Sequence, residues 1–274
     1  MITSPKTLHE YRQELHVSKS QIRTFLMCPQ KYCYQYVMGR EWEKKPAALS
    51  FGSAIHEAVA NYDLALANKG EPLPAKEIHE VFLNSWNLEL KGEVPIDFNG
   101  KTSDEMADLG KSMLDVFVQN IKPRTIEAVE LPVSVPICDP KTGEVLPVKL
   151  VGAFDLIESD EDGNRIISEL KTSARKWSDG QVDTELDPAI YSYAFKEMGY
   201  RTNGSETLVR FDVLVKTKKP SLETYFTTKG EKDHRKMLSL FAKVLRAIES
   251  GNFYPIHGWQ CNGCPFERQC AEEL

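Results

Sequence analysis

No stretch of this chain approaches the roughly 18 unbroken apolar residues that a membrane-spanning helix requires. The amino-terminal run MITSPKTLHEYRQELH likewise lacks a basic segment followed by an apolar one. Neither a membrane span nor a secretory leader is expected, and the chain reads as a soluble cytoplasmic protein. Also absent is a glycine-rich phosphate loop of the G-x-x-x-x-G-K-S/T kind, so a nucleotide-driven motor of that class is not expected in this chain. Surplus positive charge is missing too: the formal net charge is -6. Coating nucleic acid by bulk charge needs Lys and Arg to displace condensed counterions, so any DNA contact must be local. The available basic clusters are Arg40 with Lys44 and Lys45, Lys216 with Lys218 and Lys219, and Arg235 with Lys236. Each of them, taken singly, reads better as an ordinary solvated face. There is no internal repeat and no low-complexity tract.

What is present is enough apolar material, 41% hydrophobic in 274 residues, to bury a sizeable core. Ser18 is a helix N-cap candidate ahead of Ile22, Phe25 and Leu26, and Pro29 ends that helix near Cys28. The run from Ser53 to Gly70 reads as a helix with Ser53 as cap, and Gly52 would let the backbone turn tightly into it. Two further helices are expected around Ile78 to Leu90 and Ser103 to Asn120. Period-two alternation begins near Ile126 and gives three strands in a meander, separated by turn signals at 139–143 and 160–164. A helix over Asp183 to Met198, a hairpin from LVRFDVLVKT and LETYFTT, and a long amphipathic helix over Glu231 to Ser250 complete the order. That order predicts an α/β or α+β sandwich around a mixed sheet.

The sharpest chemical signal is Gly152-Ala153-Phe154-Asp155 on one strand and Glu169-Leu170-Lys171 on the next. Side chains two apart on a strand share a face, so Glu169 and Lys171 point together. If the loop 160–164 closes the hairpin with Ser159 opposite Arg165, Asp155 falls opposite Glu169. Two carboxylates and a lysine on one face are costly to bury unless a cation neutralises them, and hard oxygen donors suit Mg²⁺ or Mn²⁺. Such a cation can activate a water for attack on phosphorus, with the lysine helping the nucleophile or the charged transition state. On these three residues alone, a solvated hairpin face is the stronger reading. His56, in FGSAIHEAV upstream of the sheet, is a surface or core histidine by itself and a third metal ligand beside the carboxylates.

The segments SKSQIRTFLMCPQKYCYQY, FGSAIHEAV, VGAFDLIES, ISELKTS, AIYSYAF and NFYPIHGWQCNGCPFERQC together resemble the RecB-like PD-(D/E)XK nucleases. The resemblance is to their iron–sulfur branch, which includes the AddB-like and CRISPR-associated exonucleases, and it runs from about Ser18 to Cys270. It implies an α/β restriction-endonuclease-like core, a mixed central sheet flanked by helices, with an N-terminal helical region and a C-terminal cysteine cluster. It implies that His56, Asp155 and Glu169 bind the metal, that Lys171 is the catalytic lysine, and that Tyr191 is the aromatic of the following helix motif. The expected arrangement is one nuclease domain over 1–274: a mainly helical part (18–125), a catalytic part (126–250) and a cysteine-rich clip (251–274). The implied activity is hydrolysis of DNA phosphodiesters, exonucleolytic on single strands, in recombination, repair or CRISPR-type processing beside a helicase or a CRISPR integrase. A catalytically inactive DNA-binding or assembly subunit with the same fold is the alternative. One departure bears on that choice: the family commonly has glutamine four residues before the tyrosine, where this chain has Asp187. Trp177, Tyr191, Tyr193 and Phe195 are candidate base-stacking surfaces or core aromatics.

The six cysteines are lopsided: Cys28 and Cys33 near the start, Cys138 alone, and Cys261, Cys264 and Cys270 at the end. A disulfide framework is usually small and evenly stapled, so ligation is the stronger reading. C-x-x-C with a third thiol after a short helical turn provides three ligands, and Cys28 is the natural fourth. The resemblance makes the cargo a [4Fe–4S] cluster; a structural Zn²⁺ site on the same thiols is the alternative. Either would tie the first helix to the end of the chain, removing about 5 kcal/mol of unfolded-state entropy in the ideal loop-closure picture. Cys33 and Cys138 read as small apolar residues, Cys33 being near enough to Cys28 to be a rival ligand.

Overall fold

The alternation that begins at Ile126 becomes a six-stranded mixed sheet in the computed structural model, which describes every residue except 3, 5, 123, 201–203, 205 and 274. In chain order the elements are α1 (Leu8–Arg12), β1 (His16–Val17), α2 (Lys19–Met27), α3 (Pro29–Tyr32), β2 (Lys45–Pro46) and α4 (Ala47–Lys69). Then come α5 (Ala75–Leu90), β3 (Ile96–Asp97), α6 (Ser103–Asn120) and the long strands β4 (Thr125–Cys138), β5 (Val145–Ser159) and β6 (Arg165–Ser173). The chain continues through α7 (Gln181–Thr184), α8 (Asp187–Glu197), β7 (Thr207–Val215), β8 (Ser221–Lys229), α9 (Glu231–Glu249) and α10 (Glu267–Glu273). The sheet order is β1-β5-β6-β7-β8, with β4 also paired to β5, and β2 with β3 make a separate two-stranded ladder.

Each face of the sheet is covered by helices, as a mixed sheet buried on both sides requires. One core gathers Ile22 and Phe25 of α2, Phe195 of α8 and Phe241 of α9 over Val133, Phe154, Ile167 and Phe211 of the strands. The other gathers Phe51, Ile55, Phe82, Trp86, Met113 and Phe117 of α4, α5 and α6 over Leu170 and Leu214. This is the mixed α/β arrangement with helices on both faces that the order of elements predicted.

Two features position the site. First, β5 changes partners along one edge: it pairs β6 from Leu156 to Ser159 and β1 at Lys149 and Leu150, leaving 151–155 between them unpaired on that side. The sheet therefore forks at Asp155, while β6 leaves to pair in parallel with β7. Second, the inward alternation of β4 and β5 skips a position at one rung. Ala128 and Leu131, and their partners Ile157 and Phe154, all enter the same core although three positions apart on each strand.

Several local expectations need correcting. The fourth helix begins at Ala47, so Ser53 is not its cap and Gly52 lies within it; buried Ala47, Ser50 and Phe51 carry it through by packing. It does stop at Gly70, whose φ of 75° is the left-handed turn that glycine supplies. The expected helix over Asp183 to Met198 is two helices broken at extended Glu185, with Pro188 opening the second, since a proline can start a helix but lacks the amide to continue one. The short strands β1, β2 and β3, of two residues each, carry too little alternation to be read from sequence.

Candidate active site

The hairpin closes in the expected register, Ser159 opposite Arg165, and the β5–β6 ladder ends at Leu156 opposite Ser168. Asp155 and Glu169 would form the next rung but are not paired. Instead Oδ2 of Asp155 accepts a 3.0 Å hydrogen bond from the Leu170 backbone amide across the fork. His56, from α4 on one face of the sheet, stands with Nδ1 3.4 Å from that same Oδ2. Glu169 and Lys171, two apart on β6, are ion-paired, and Lys171 Nζ also lies 3.2 Å from Oδ2 of Asp187 at the start of α8. The fork is thus where side chains from both helical layers meet.

Lys19 was not anticipated. It follows β1 directly, in the first turn of α2, whose N-terminus is fixed by a capping box between Ser18 and Gln21. Pairing of His16 and Val17 with β5 carries it into the fork. There its Nζ lies 2.9 Å from Glu169 and 3.3 Å from Asp187, and is hydrogen-bonded to the Tyr191 hydroxyl. Arg23, one turn on, reaches Asp187 at 2.8 Å. Asp187, where the family commonly has glutamine, is thus the shared counter-ion of three cations. No sequence pattern singles out Lys19 or Arg23, because a two-residue strand is what places them.

The electrostatics follow from burial and these pairings. Burial pushes the Glu169 carboxyl up, but Lys171 and Lys19 outweigh it and hold it well below the usual range. Burial pushes the Lys171 ammonium down, and Glu169 with Asp187 more than reverses this. For Asp155 the balance is reversed: burial first, then Glu169 and Glu130, outweigh the lowering by Lys171 and Lys19 and raise it well above the ordinary carboxylate value. Burial pushes His56 down to about 4, leaving its imidazole neutral at neutral pH. Glu130 is exposed as a residue, and the packing of its carboxyl end at the cavity's rim, then Glu169 and Glu57, push it up to about 7.

Among the described residues no three His, Cys, Asp or Glu side chains converge in a ready coordination shell. The lysines account for this, because Lys19 and Lys171 both take Oε1 of Glu169. The residues nevertheless fit a hard divalent cation. Oε2 of Glu169 is buried without a hydrogen-bond partner, a costly state for a carboxylate oxygen. A neutral imidazole and carboxylate oxygens are the donors Mg²⁺ and Mn²⁺ accept. His56, Asp155, Glu169 and Glu130 all line one cavity of about 20 Å³, space for a single water or ion.

The wall behind this cavity is a buried charge network. Arg124 pairs with Asp63 and lies 3.8 Å from Glu158 and 3.7 Å from Asp212, while Arg210 bonds both Glu158 and Asp212. Asp63 stands two turns after His56 on α4, so the network ties the helix carrying the histidine to β5 and β7.

The other candidate residues sort differently. Tyr191, Tyr193 and Phe195 are buried, and Trp177 packs between Phe211 and Tyr225, so these aromatics build the core and are not base-stacking surfaces. Of the basic clusters, Arg40, Lys44 and Lys45 are engaged by Glu273, Asp97 and Glu89, Arg235 by Glu231, and Lys216 is half-buried with its ammonium pushed down by burial. Cys28, Cys261, Cys264 and Cys270 line one cavity of about 230 Å³. None of the six cysteines forms a disulfide; burial and then its thiol neighbours push Cys270 upward. Cys33 and Cys138 do not line that cavity.

No described helix is long and apolar enough to cross a membrane. No curated protein matches the chain. Among solved structures, a protein provisionally named an exonuclease, from Eubacterium rectale, superposes with a TM-score of 0.54 at 12% identity, over 100% of this chain and 94% of its own. The crystal structure of SSO0001 superposes with a TM-score of 0.45 at 15% identity, over 97% and 93%. The family profile of the PD-(D/E)XK nuclease superfamily matches residues 16–271, and the chain belongs to that superfamily.

Proposed function

We propose that this chain is a metal-dependent DNA nuclease that hydrolyses phosphodiester bonds, acting exonucleolytically on single-stranded ends. The observation that carries the proposal is the fork at Asp155, where His56 lies beside Asp155, Lys171 pairs with Glu169, and His56, Asp155 and Glu169 line one cavity. His56, Asp155 and Glu169 would hold Mg²⁺ or Mn²⁺. Bound there, the cation supplies Lewis acidity that activates water and neutralises phosphate charge. Lys171, held charged by Glu169 and Asp187, is poorly suited to accept a proton and well suited to stabilise negative charge developing on phosphate oxygens. Lys19 balances Glu169 and Asp187, and Tyr191, its phenol raised by burial and then by Glu169, keeps its proton and holds Lys19 in place.

The test is degradation of end-labelled linear and internally labelled circular single-stranded DNA with Mn²⁺ or with chelator, comparing wild type with Asp155→Asn. Digestion of the linear substrate by wild type alone is expected, with the circle spared. Equal digestion by both proteins would remove the site, and cutting of the circle would remove the exonucleolytic reading. No digestion by wild type with any metal favours the inactive DNA-binding subunit.

For the thiols we propose a [4Fe–4S] cluster on Cys28, Cys261, Cys264 and Cys270, supported by the cavity those four share. Protein purified without oxygen is expected to contain iron and absorb in the visible, and Cys264→Ser to lose both. Zinc without iron would replace the cluster with a structural Zn²⁺ site.

A further inference from the structure

The rung that disturbs the sheet carries two acids. Glu130 on β4 and Asp155 on β5 occupy one register position between the pairs Val129–Leu156 and Leu131–Phe154, and both drop out of the ladder there. Glu130 has a φ of 47°, and among the described residues only Asn99 shares that left-handed region without being glycine. Asparagine enters it readily; a glutamate within a strand does so only when its surroundings impose it, and such outliers gather at functional sites. The skipped alternation is the local consequence: it frees Glu130 from the core pattern of Ala128 and Leu131 and brings it to the rim of the cavity that Asp155, Glu169 and His56 line. Among the described residues no basic side chain stands in ion-pair range of Glu130, unlike Glu169 and Asp187. Glu169, which lines the same cavity, has a buried Oε2 without a hydrogen-bond partner, pointing independently to a ligand at this place.

We propose that Glu130 is a further acidic side chain of the cation site, facing the same divalent ion as Asp155 and Glu169 from the β4 side, directly or through a water it orients. This rests on the reading of the fork as a cation site. A carboxylate held in a strained backbone beside two others is unfavourable until a cation arrives, and the cation then gains a preorganised oxygen donor.

The experiment is Mn²⁺ binding to the full chain, by calorimetry or by the loss of the free-ion paramagnetic resonance signal, for wild type, Glu130→Gln, Glu130→Gly and Asp155→Asn. Circular dichroism of the metal-free proteins checks folding. Both Glu130 variants are expected to bind at least tenfold more weakly than wild type. Glu130→Gly should match or exceed the wild-type thermal midpoint without metal, since glycine accepts the left-handed φ. Binding by both Glu130 variants within twofold of wild type, with Asp155→Asn strongly weakened, would overturn the role of Glu130 and leave the site standing. Unchanged binding in all three variants would overturn both.

Discussion

The backbone amide of Leu170 donates to the Asp155 carboxylate across the point where β5 and β6 have ceased to pair. One strand's ladder donor has thereby been reassigned to a side chain of the other. An amide oxygen can accept the same bond, so Asp155→Asn preserves it while removing a charge that burial, Glu169 and Glu130 all oppose. At pH values above the ordinary carboxylate range, folding must either bury that charge or take up a proton, so the neutral amide stabilises the fold. We expect the metal-free variant at pH 8 to melt about 3 °C higher than wild type while losing nuclease activity. A midpoint equal to or below wild type would contradict the electrostatic account of Asp155.

Asp187 carries a different expectation. Lys19, Lys171 and Arg23 all lean on its buried carboxylate. Asp187→Gln restores the glutamine common in the family but leaves three cations facing one another across Glu169. Breaking a largely buried pair costs about 3 kcal/mol, less here because the cations are partly exposed. The expected fall in thermal midpoint is about 5 °C. An unchanged midpoint would show that the three cations do not depend on Asp187.

His56 sets an acid limit. Its folded-state pKa, about 4, lies below the ordinary histidine value. The contribution is thus complete above about pH 6.5 and is lost as pH falls towards 4, where the unfolded chain has already gained the proton. His56→Gln has no such proton to gain. In chelator, the unfolding free energy of wild type relative to the variant should decline by about 2 kcal/mol between pH 6.5 and pH 4, discounting for the part-exposed ring. Denaturant melts across that range measure it, and parallel curves would refute it.

Arg124 is expected to matter for stability and for the site together. Arg124→Met leaves Glu158 and Asp212 with Arg210 and takes from Asp63 the ion-pair partner it has here. A loss of about 3 kcal/mol follows, with weaker Mn²⁺ binding because Asp63 helps hold the helix that presents His56. Loss of stability with unaltered Mn²⁺ affinity would separate the network from the site.

Much of the architecture was legible because long elements advertise themselves. Ser103–Asn120 and the strands from Thr125 to Ser173 carry enough periodicity to be placed, and the loop 160–164 gave the hairpin register. Asp155, Glu169, Lys171 and His56 stood out because their residue types and spacing suit a hard cation. Lys19 and Glu130 did not. The first depends on a two-residue strand pairing with a partner over a hundred positions away, the second on one backbone angle that favours no residue pattern. Asp187 looked like a defect because only the fold shows three cations around it.

The first segment of the fork is held to the sheet by β1, two residues long, and by the contacts of α2. Lys19 meets Glu169 and Tyr191 across 150 and 172 positions of sequence. Such distant encounters come late and part early, since little local structure sustains them. Urea should accordingly abolish DNA hydrolysis at concentrations where far-ultraviolet ellipticity is still intact, so the protein falls silent before it falls apart.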